Sequence, residues 1–308
     1  MVLAVLEAFA VIAVIIVVGM VAGRSNVLGD NARMVLNRVA FHVGVPALLL
    51  LSLADSAPGQ VFSMPLLVSA LTTLVMFGVF FVIAVTLRRR DRADATIGAW
   101  AASWVNSGNL GIPLSAYVLG STTEVSALIV FQTVVLVPLG VAVINSAGRD
   151  GGSVGAQIRG LATNPIIVGS AIGMLLALTG VTLPRAIHQP LELLADLAIP
   201  TVLLAFGIAL VSERGRDDRD SRVDLWLAVV FKVLVMPALA YVLARWVFGL
   251  SPEQTAIATV LAALPAAQNL NTYAAVFARG EALARNATLI TTLASVPVIA
   301  LIAYLLGL

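Results

Sequence analysis

The sequence contains no cysteine, which excludes disulfides, thiolate metal sites and cysteine nucleophiles. Histidine is nearly as scarce, with only His42 and His188 in 308 residues. There is no HExxH pair and no GxxxxGK[ST] loop, so metal-dependent hydrolysis and ATP-driven pumping by this chain have no residues to carry them. No pair of membrane aspartates points to an intramembrane protease, and no nucleic-acid-binding motif occurs. The chain is therefore not expected to be an enzyme, and no cofactor or metal is implied. Charge is also in short supply: 11% of the residues are Asp, Glu, Lys or Arg, against roughly 25% in soluble domains.

What fills the gap is apolar. Hydrophobic residues make up 60% of the chain, and the mean hydropathy is +1.03. A bilayer core about 30 Å thick needs about 20 apolar residues per helix. Ten stretches meet this, roughly 2–22, 35–54, 64–87, 94–119, 124–146, 164–183, 189–211, 224–248, 254–278 and 285–306. The first has no basic region before it and is long enough to span, so it reads as a first helix and not a cleaved signal. The breaks between spans, such as RRRDR and SERGRDDRDSR, are too short to hold a soluble domain.

Arginine placement sets the orientation. Odd-numbered loops hold 15 of the 18 basic residues, among them Arg33, Arg88, Arg90, Arg149, Arg214 and Arg279, while loops 2 and 4 hold none. By the positive-inside bias the odd loops are cytoplasmic and both termini lie outside. Arginine outnumbers the single lysine so heavily that a GC-rich bacterial source, and hence a bacterial plasma (inner) membrane, is the expectation.

The two halves match each other. "RVAFHVGVPALLLLSLA" resembles "LLADLAIPTVLLAFGIA", aligning Pro46 with Pro200. "ATIGAWAASWVNSGNLGIPLSAYVLG" resembles "TAIATVLAALPAAQNLNTYAAVFARG", aligning Asn109 with Asn269 and Gly120 with Gly280. The expected organisation is a five-helix repeat over 1–148, a cytoplasmic linker over 149–163, and a second five-helix repeat over 164–308. Five is odd, so the second copy enters the membrane inverted, an architecture of many secondary transporters with the site where interrupted helices meet.

Span 4 carries the strongest signal for an interruption. Asn106, Gly108, Asn109, Gly111 and Pro113 sit in the middle of an apolar run, where a broken helix is tolerated only around protein or a water-filled cavity. Proline removes a donor and clashes with the preceding turn. The spacing predicts an unwound segment from Asn106 to Pro113, with the second half-helix starting near Pro113 and its free N–H groups suited to a carboxylate. Span 9 answers with Pro265, Gln268, Asn269, Asn271 and Tyr273, although no glycine or proline follows its amides. Amides donate to carboxylate oxygens and accept from hydroxyl or ammonium groups. Asn106, Gly108, Asn109, Gly111, Pro113, Gln268, Asn269, Asn271 and Tyr273 form the expected substrate site, with Pro265 only weakening the helix before it. Gln132 in span 5, His42 and Asp196 at matching positions before Pro46 and Pro200, and Lys232 in span 8 form a supporting polar set. Lys232 is expected to snorkel toward the basic side.

"NSGNLGIPL", "NPIIVGSAIG" and "LPAAQN…YAAVFARG" together resemble the auxin efflux carrier family, which includes the plant PIN-FORMED auxin exporters and bacterial malonate or malate permeases. The resemblance covers the whole chain. It implies an all-α membrane protein of ten transmembrane helices in two inverted five-helix repeats, similar to the bile-acid symporter and sodium/proton antiporter class, with helices 4 and 9 broken and crossing. It further implies a dimerising scaffold of helices 1, 2, 6 and 7, hence a homodimer, and a mobile transport domain of helices 3–5 and 8–10. The crossing asparagine and proline of helix 4 match Asn106 and Pro113, and a supporting glutamine of helix 5 matches Gln132. The AQN of span 9, Ala267 to Asn269, resembles the bacterial pattern and lacks the crossing proline of plant members. The implied function is secondary active transport of small carboxylates, or of auxin-like weak acids, by elevator-type alternating access. A sodium-coupled symporter of another amphipathic anion and a non-transporting membrane ligand sensor are the alternatives.

Overall fold

A computed structural model describes residues 2–55, 63–145, 163–212 and 222–307. The expected linker over 149–163, with Arg149 and Arg159, and the arginines Arg214, Arg216 and Arg219 of loop 7 lie outside the described residues, apart from Thr163. Among the described residues the secondary structure is helical, with one isolated antiparallel bridge, Val105 to Ala266.

The helices in chain order are α1 (Val2–Ser25), α2 (Ala32–Ala54), α3 (Met64–Thr86), α4 (Arg92–Ser103), α5 (107–119), α6 (Thr123–Asn145), α7 (Pro165–Thr179), α8 (Arg185–Asp196), α9 (Ala198–Ser212), α10 (Arg222–Val247), α11 (Pro252–Ala263), α12 (Asn269–Phe277) and α13 (Glu281–Leu306). Six stretches are long and apolar enough to cross a membrane: α2, α3, α6, α8 with α9, α10 and α13. Ala10–Ser25 and Pro165–Thr179 are shorter apolar helices. The stretches expected as spans 4 and 9 are each split in two, as α4/α5 and α11/α12.

Sequence signals start the split helices firmly. Asp91 caps α4 by accepting from the N–H groups of Ala93 and Asp94, both at 2.9 Å. Ser251 and Gln254 form a reciprocal capping box at the start of α11, with Pro252 in its first turn. Asn164 caps α7, again before a proline.

Four prolines inside the membrane helices act through a shared device. π-helical turns at Ala40–Gly44, Ser107–Gly111, Gln132–Leu136 and Phe231–Val235 each end two residues before a proline: Pro46, Pro113, Pro138 and Pro237. The residue between turn and proline donates five back, as Val137 N–H does to Gln132 O. The wider turn accommodates the ring and the missing donor, so the helix continues where a narrower one would clash.

Packing rests on close backbone approach. α1 lies along α9, and a Cβ at Gly207 would stand 2.2 Å from Ile16 O. α2 lies along α7, where a Cβ at Gly173 would stand 2.4 Å from Leu50 O. Small residues at such seams let helices gain van der Waals contact where lipid supplies no hydrophobic drive. Elsewhere α4 packs between α3, α6 and α10, and α11 packs on α3, α10 and α13, which brings the two interrupted regions together at the centre.

Candidate functional site

α4 stops at Ser103. Trp104 turns extended (φ −76°, ψ 113°), Asn106 follows at φ −75°, ψ 63°, and the helix resumes at Ser107. α11 stops at Ala263, Leu264 turns extended, and the chain re-enters helix at Asn269. The two non-helical segments cross and pair: Asn106 N–H donates to Pro265 O at 2.8 Å, and Ala267 N–H to Trp104 O at 2.9 Å. Ala266 N–H donates to Thr291 Oγ1 of α13 at 3.0 Å. Asn106 O accepts from Gly111 N–H at 2.8 Å, and Asn106 Oδ1 caps the new half-helix by accepting from Asn109 N–H at 3.1 Å. Backbone groups freed by the breaks thus find partners inside the protein, as a low-dielectric interior requires.

The first break is displaced from its expected position. The unwound residues are 104–106, not Asn106 to Pro113, and the second half-helix starts at Ser107. Pro113 sits inside that half-helix, served by the π turn before it. The glycines and the proline shape the re-entry, while cross-chain pairing with 265–267 opens the helix.

Around the crossing lies a small cavity of about 50 Å³. One wall is Asn106, Ser107, Gly108, Asn109, Gln132, Gln268 and Asn269, with Trp104 beside them; the other is Phe41, Val45 and Ile166 from α2 and α7. Two amide contacts knit the polar wall. Asn109 Nδ2 donates to Gln268 Oε1 at 2.5 Å, across the two arms, and Ser107 Oγ donates to Gln132 Oε1 at 2.5 Å. These leave two amide nitrogens, Asn106 Nδ2 and Gln132 Nε2, buried without an acceptor. Asn106 and Gln132 are each 3% exposed. A buried donor left unpaired costs about 1–3 kcal/mol, so each of these nitrogens favours any rearrangement that brings it an acceptor.

Behind this wall, Trp100, Trp104 and Tyr273 form a mutual ring cluster with centroids 5.4–5.6 Å apart. Tyr273 therefore braces α12 against α4 and is not part of the cavity wall.

The other expected residues divide by position. Gly111 packs against Val125 and Leu264 and, like Pro113, does not line the cavity. Asn271 also lies off it, with both amide atoms buried and unpaired. His42 and Asp196 are exposed on the outside of the helices and do not reach the cavity; His42 Nδ1 lies 3.0 Å from Arg38 O, within its own turn. Lys232 does not snorkel. It is fully buried, and Nζ donates to Ala262 O at 2.9 Å and to Met236 Sδ at 3.1 Å. It touches the end of α11 and does not line the cavity. Sequence reasoning missed Ser107, which lies within the quoted motif, and the apolar wall of Phe41, Val45 and Ile166, for which no local signal exists.

The sequence profile of a family described as membrane transport protein matches residues 4–151 and 153–303. A Rhizobium meliloti (strain 1021) protein named "Putative malonate transporter" is 26% identical over 279 residues, covering 88% of this chain and 86% of that protein. The Escherichia coli (strain K12) protein "Uncharacterized transporter YfdV" is 23% identical over 266 residues, covering 83% of each. An uncharacterized transporter of Methanothermobacter thermautotrophicus is 26% identical over 239 residues, covering 75% of this chain and 76% of that protein. The chain belongs to this membrane transport protein family, the auxin efflux carrier family, and is a multi-pass membrane transporter, not an enzyme.

Proposed function

We propose that the protein is a secondary transporter of small carboxylates and that the crossing cavity is its substrate site. The observation that carries this is that Asn106 and Gln132 both line the cavity at the crossing and that each keeps a buried amide nitrogen, Nδ2 and Nε2, without a partner among the described residues. A carboxylate has two oxygens and accepts from two amides at once, and hydrogen bonds to a charged acceptor are worth about 1.5–3 kcal/mol each. No fixed cation stands in the wall, so the substrate is held by dipoles and released without breaking an ion pair. Malonate is the first probe, because it is the substrate that the Rhizobium relative's name gives.

The proposed movement is elevator-like. The polar wall belongs to spans 4, 5 and 9, the apolar wall to spans 2 and 6. A cavity of about 50 Å³ holds only a few waters, each needing about 10–15 Å³. Substrate entry therefore needs the polar wall to slide away from Phe41, Val45 and Ile166. The reciprocal seams, span 1 with span 7 and span 2 with span 6, support the ten-span inverted repeat and a scaffold of those four helices, which we take as the homodimer's core in a bacterial inner membrane with both termini outside.

Purified protein in sealed vesicles should take up labelled malonate, and Gln132→Ala should lower uptake at least tenfold while leaving the thermal midpoint within a few degrees. Wild-type uptake by the Gln132→Ala and Asn106→Ala variants together would remove the cavity as the site. Binding of malonate without flux would leave a sensor.

A further inference from the structure

The one lysine in the chain is placed where its charge is hardest to keep. Lys232 lies in the π turn Phe231–Val235 of α10 with 0% exposure. Its ammonium reaches Ala262 O at 2.9 Å and Met236 Sδ at 3.1 Å. A thioether is a weak acceptor, so Ala262 O is the principal one. Among the described residues no carboxylate pairs with it: Asp224, on the same helix, is held by Arg88 and Arg90 at 2.8 and 2.7 Å. An ionisable group inside a membrane helix is expensive and is kept only for a partner or a task.

The partner is the broken helix itself. Ala262 is the penultimate residue of α11 (Pro252–Ala263), and the last carbonyls of a helix carry about half a negative charge. The chain leaves the helix at Leu264 and within three residues reaches the bridge residues Ala266 and Ala267 that pair with the first arm. The ammonium thus holds the end of α11 and does not line the cavity. Among the described residues no cation caps the end of α4 in the first arm.

We propose that Lys232 is a built-in cation, fixed at the open end of the second arm where a transporter lacking it would need a bound monovalent ion, and that this protein positions its crossing without sodium. Lys232 is then a positioning residue, and its role rests on the crossing being the transport site.

The test is a cation series on three proteins, read by thermal midpoint and by uptake of labelled malonate. Wild type should show the same midpoint and uptake in sodium, potassium and N-methylglucamine salts. Lys232→Ala opens a space with no charge in it; its midpoint should rise and its uptake recover severalfold on adding sodium or methylammonium, but not N-methylglucamine. Lys232→Met fills the space without charge; it should fold, lose about tenfold in uptake, and respond to no cation. A sodium-dependent wild type, or wild-type uptake by Lys232→Met, overturns the proposal. If Lys232→Ala does not fold, the wild-type series and Lys232→Met decide. The midpoints need no substrate, so a wild type that fails to carry malonate removes malonate as the substrate while leaving the cation test readable.

Discussion

The first arm leaves its helix at Ser103 and re-enters at Ser107, and it closes most of the gap with its own atoms: Asn106 O takes Gly111 N–H, and Asn106 Oδ1 takes Asn109 N–H. The second arm stays out from Leu264 to Gln268; it closes partly on itself, Leu270 N–H to Ala267 O and Asn271 N–H to Gln268 O, and is helped by neighbours, with Thr291 on Ala266 N–H and Lys232 on Ala262 O. The first arm lines the cavity with Asn106, whose Nδ2 is buried and unpaired, and the second with Gln268 and Asn269, of which Gln268 Oε1 is already taken by Asn109. One arm is thus the binding arm and the other the supported arm, although the sequence sets the two in register.

That division is broken most severely at Asn106. Asn106→Ala removes both a substrate donor and the cap of the new half-helix. Together these are worth about 3 kcal/mol, so malonate uptake by reconstituted vesicles should fall about 100-fold. Asn106→Asp keeps the cap acceptor but buries a carboxylate that would also repel an anionic substrate; it should lower the midpoint and abolish transport.

The glycines that follow the two half-helices separate the arms next. Gly120 and Gly280 both hold positive φ, 70° and 55°. A Cβ at Gly120 would meet open space, while at Gly280 it would stand 2.8 Å from Ile97 Cγ2, a fully buried side chain. Gly120→Ala should cost about 1 kcal/mol from the left-handed backbone alone. Gly280→Ala adds overpacking of about 1–3 kcal/mol and should lower the midpoint two to three times as far.

A double-mutant cycle across the arms reads their direct connection. Asn109→Ala and Gln268→Ala each break the same hydrogen bond, so their combined destabilisation should fall short of the sum by about 1 kcal/mol. Additive losses would mean that the arms communicate only through the backbone bridge.

Much of this was legible in the sequence, and the exceptions share a cause. The amides Asn106, Asn109, Gln132, Gln268 and Asn269 stood out because lipid penalises them, and the structure brings all five to one cavity. The position of the first break was misjudged because Pro113 marks a π turn inside the helix. The unwound residues Trp104 and Val105 carry no breaker; they are pulled open by Pro265 and Ala267, about 160 positions away. Lys232 looked like a snorkelling side chain for the same reason, since the helix end that receives it belongs to another span. His42 and Asp196 matched by register, but register does not tell which face of a helix turns inward, and both turn outward.

The finest contrast lies within the first arm, between Gly108 and Gly111. Both have helical backbone, so alanine at either gains about 1 kcal/mol of helix propensity. At Gly108 a Cβ meets nothing within 4 Å, so the gain stands and the midpoint should rise by about 2 °C. At Gly111 the Cβ would press on Val125 Cγ2 at 2.8 Å and on Leu264 Cδ1 of the second arm at 3.0 Å. Val125 is fully buried and β-branched, so it yields little; overpacking of about 1–3 kcal/mol offsets the gain, and the midpoint should stay level or fall. The same two variants part in the opposite sense in transport. Gly108→Ala puts a methyl beside the cavity wall and should slow malonate uptake severalfold, whereas Gly111→Ala lies off the cavity and should leave uptake within twofold of wild type. If both variants shift midpoint and uptake together, the binding arm and its packing against the second arm are not separable.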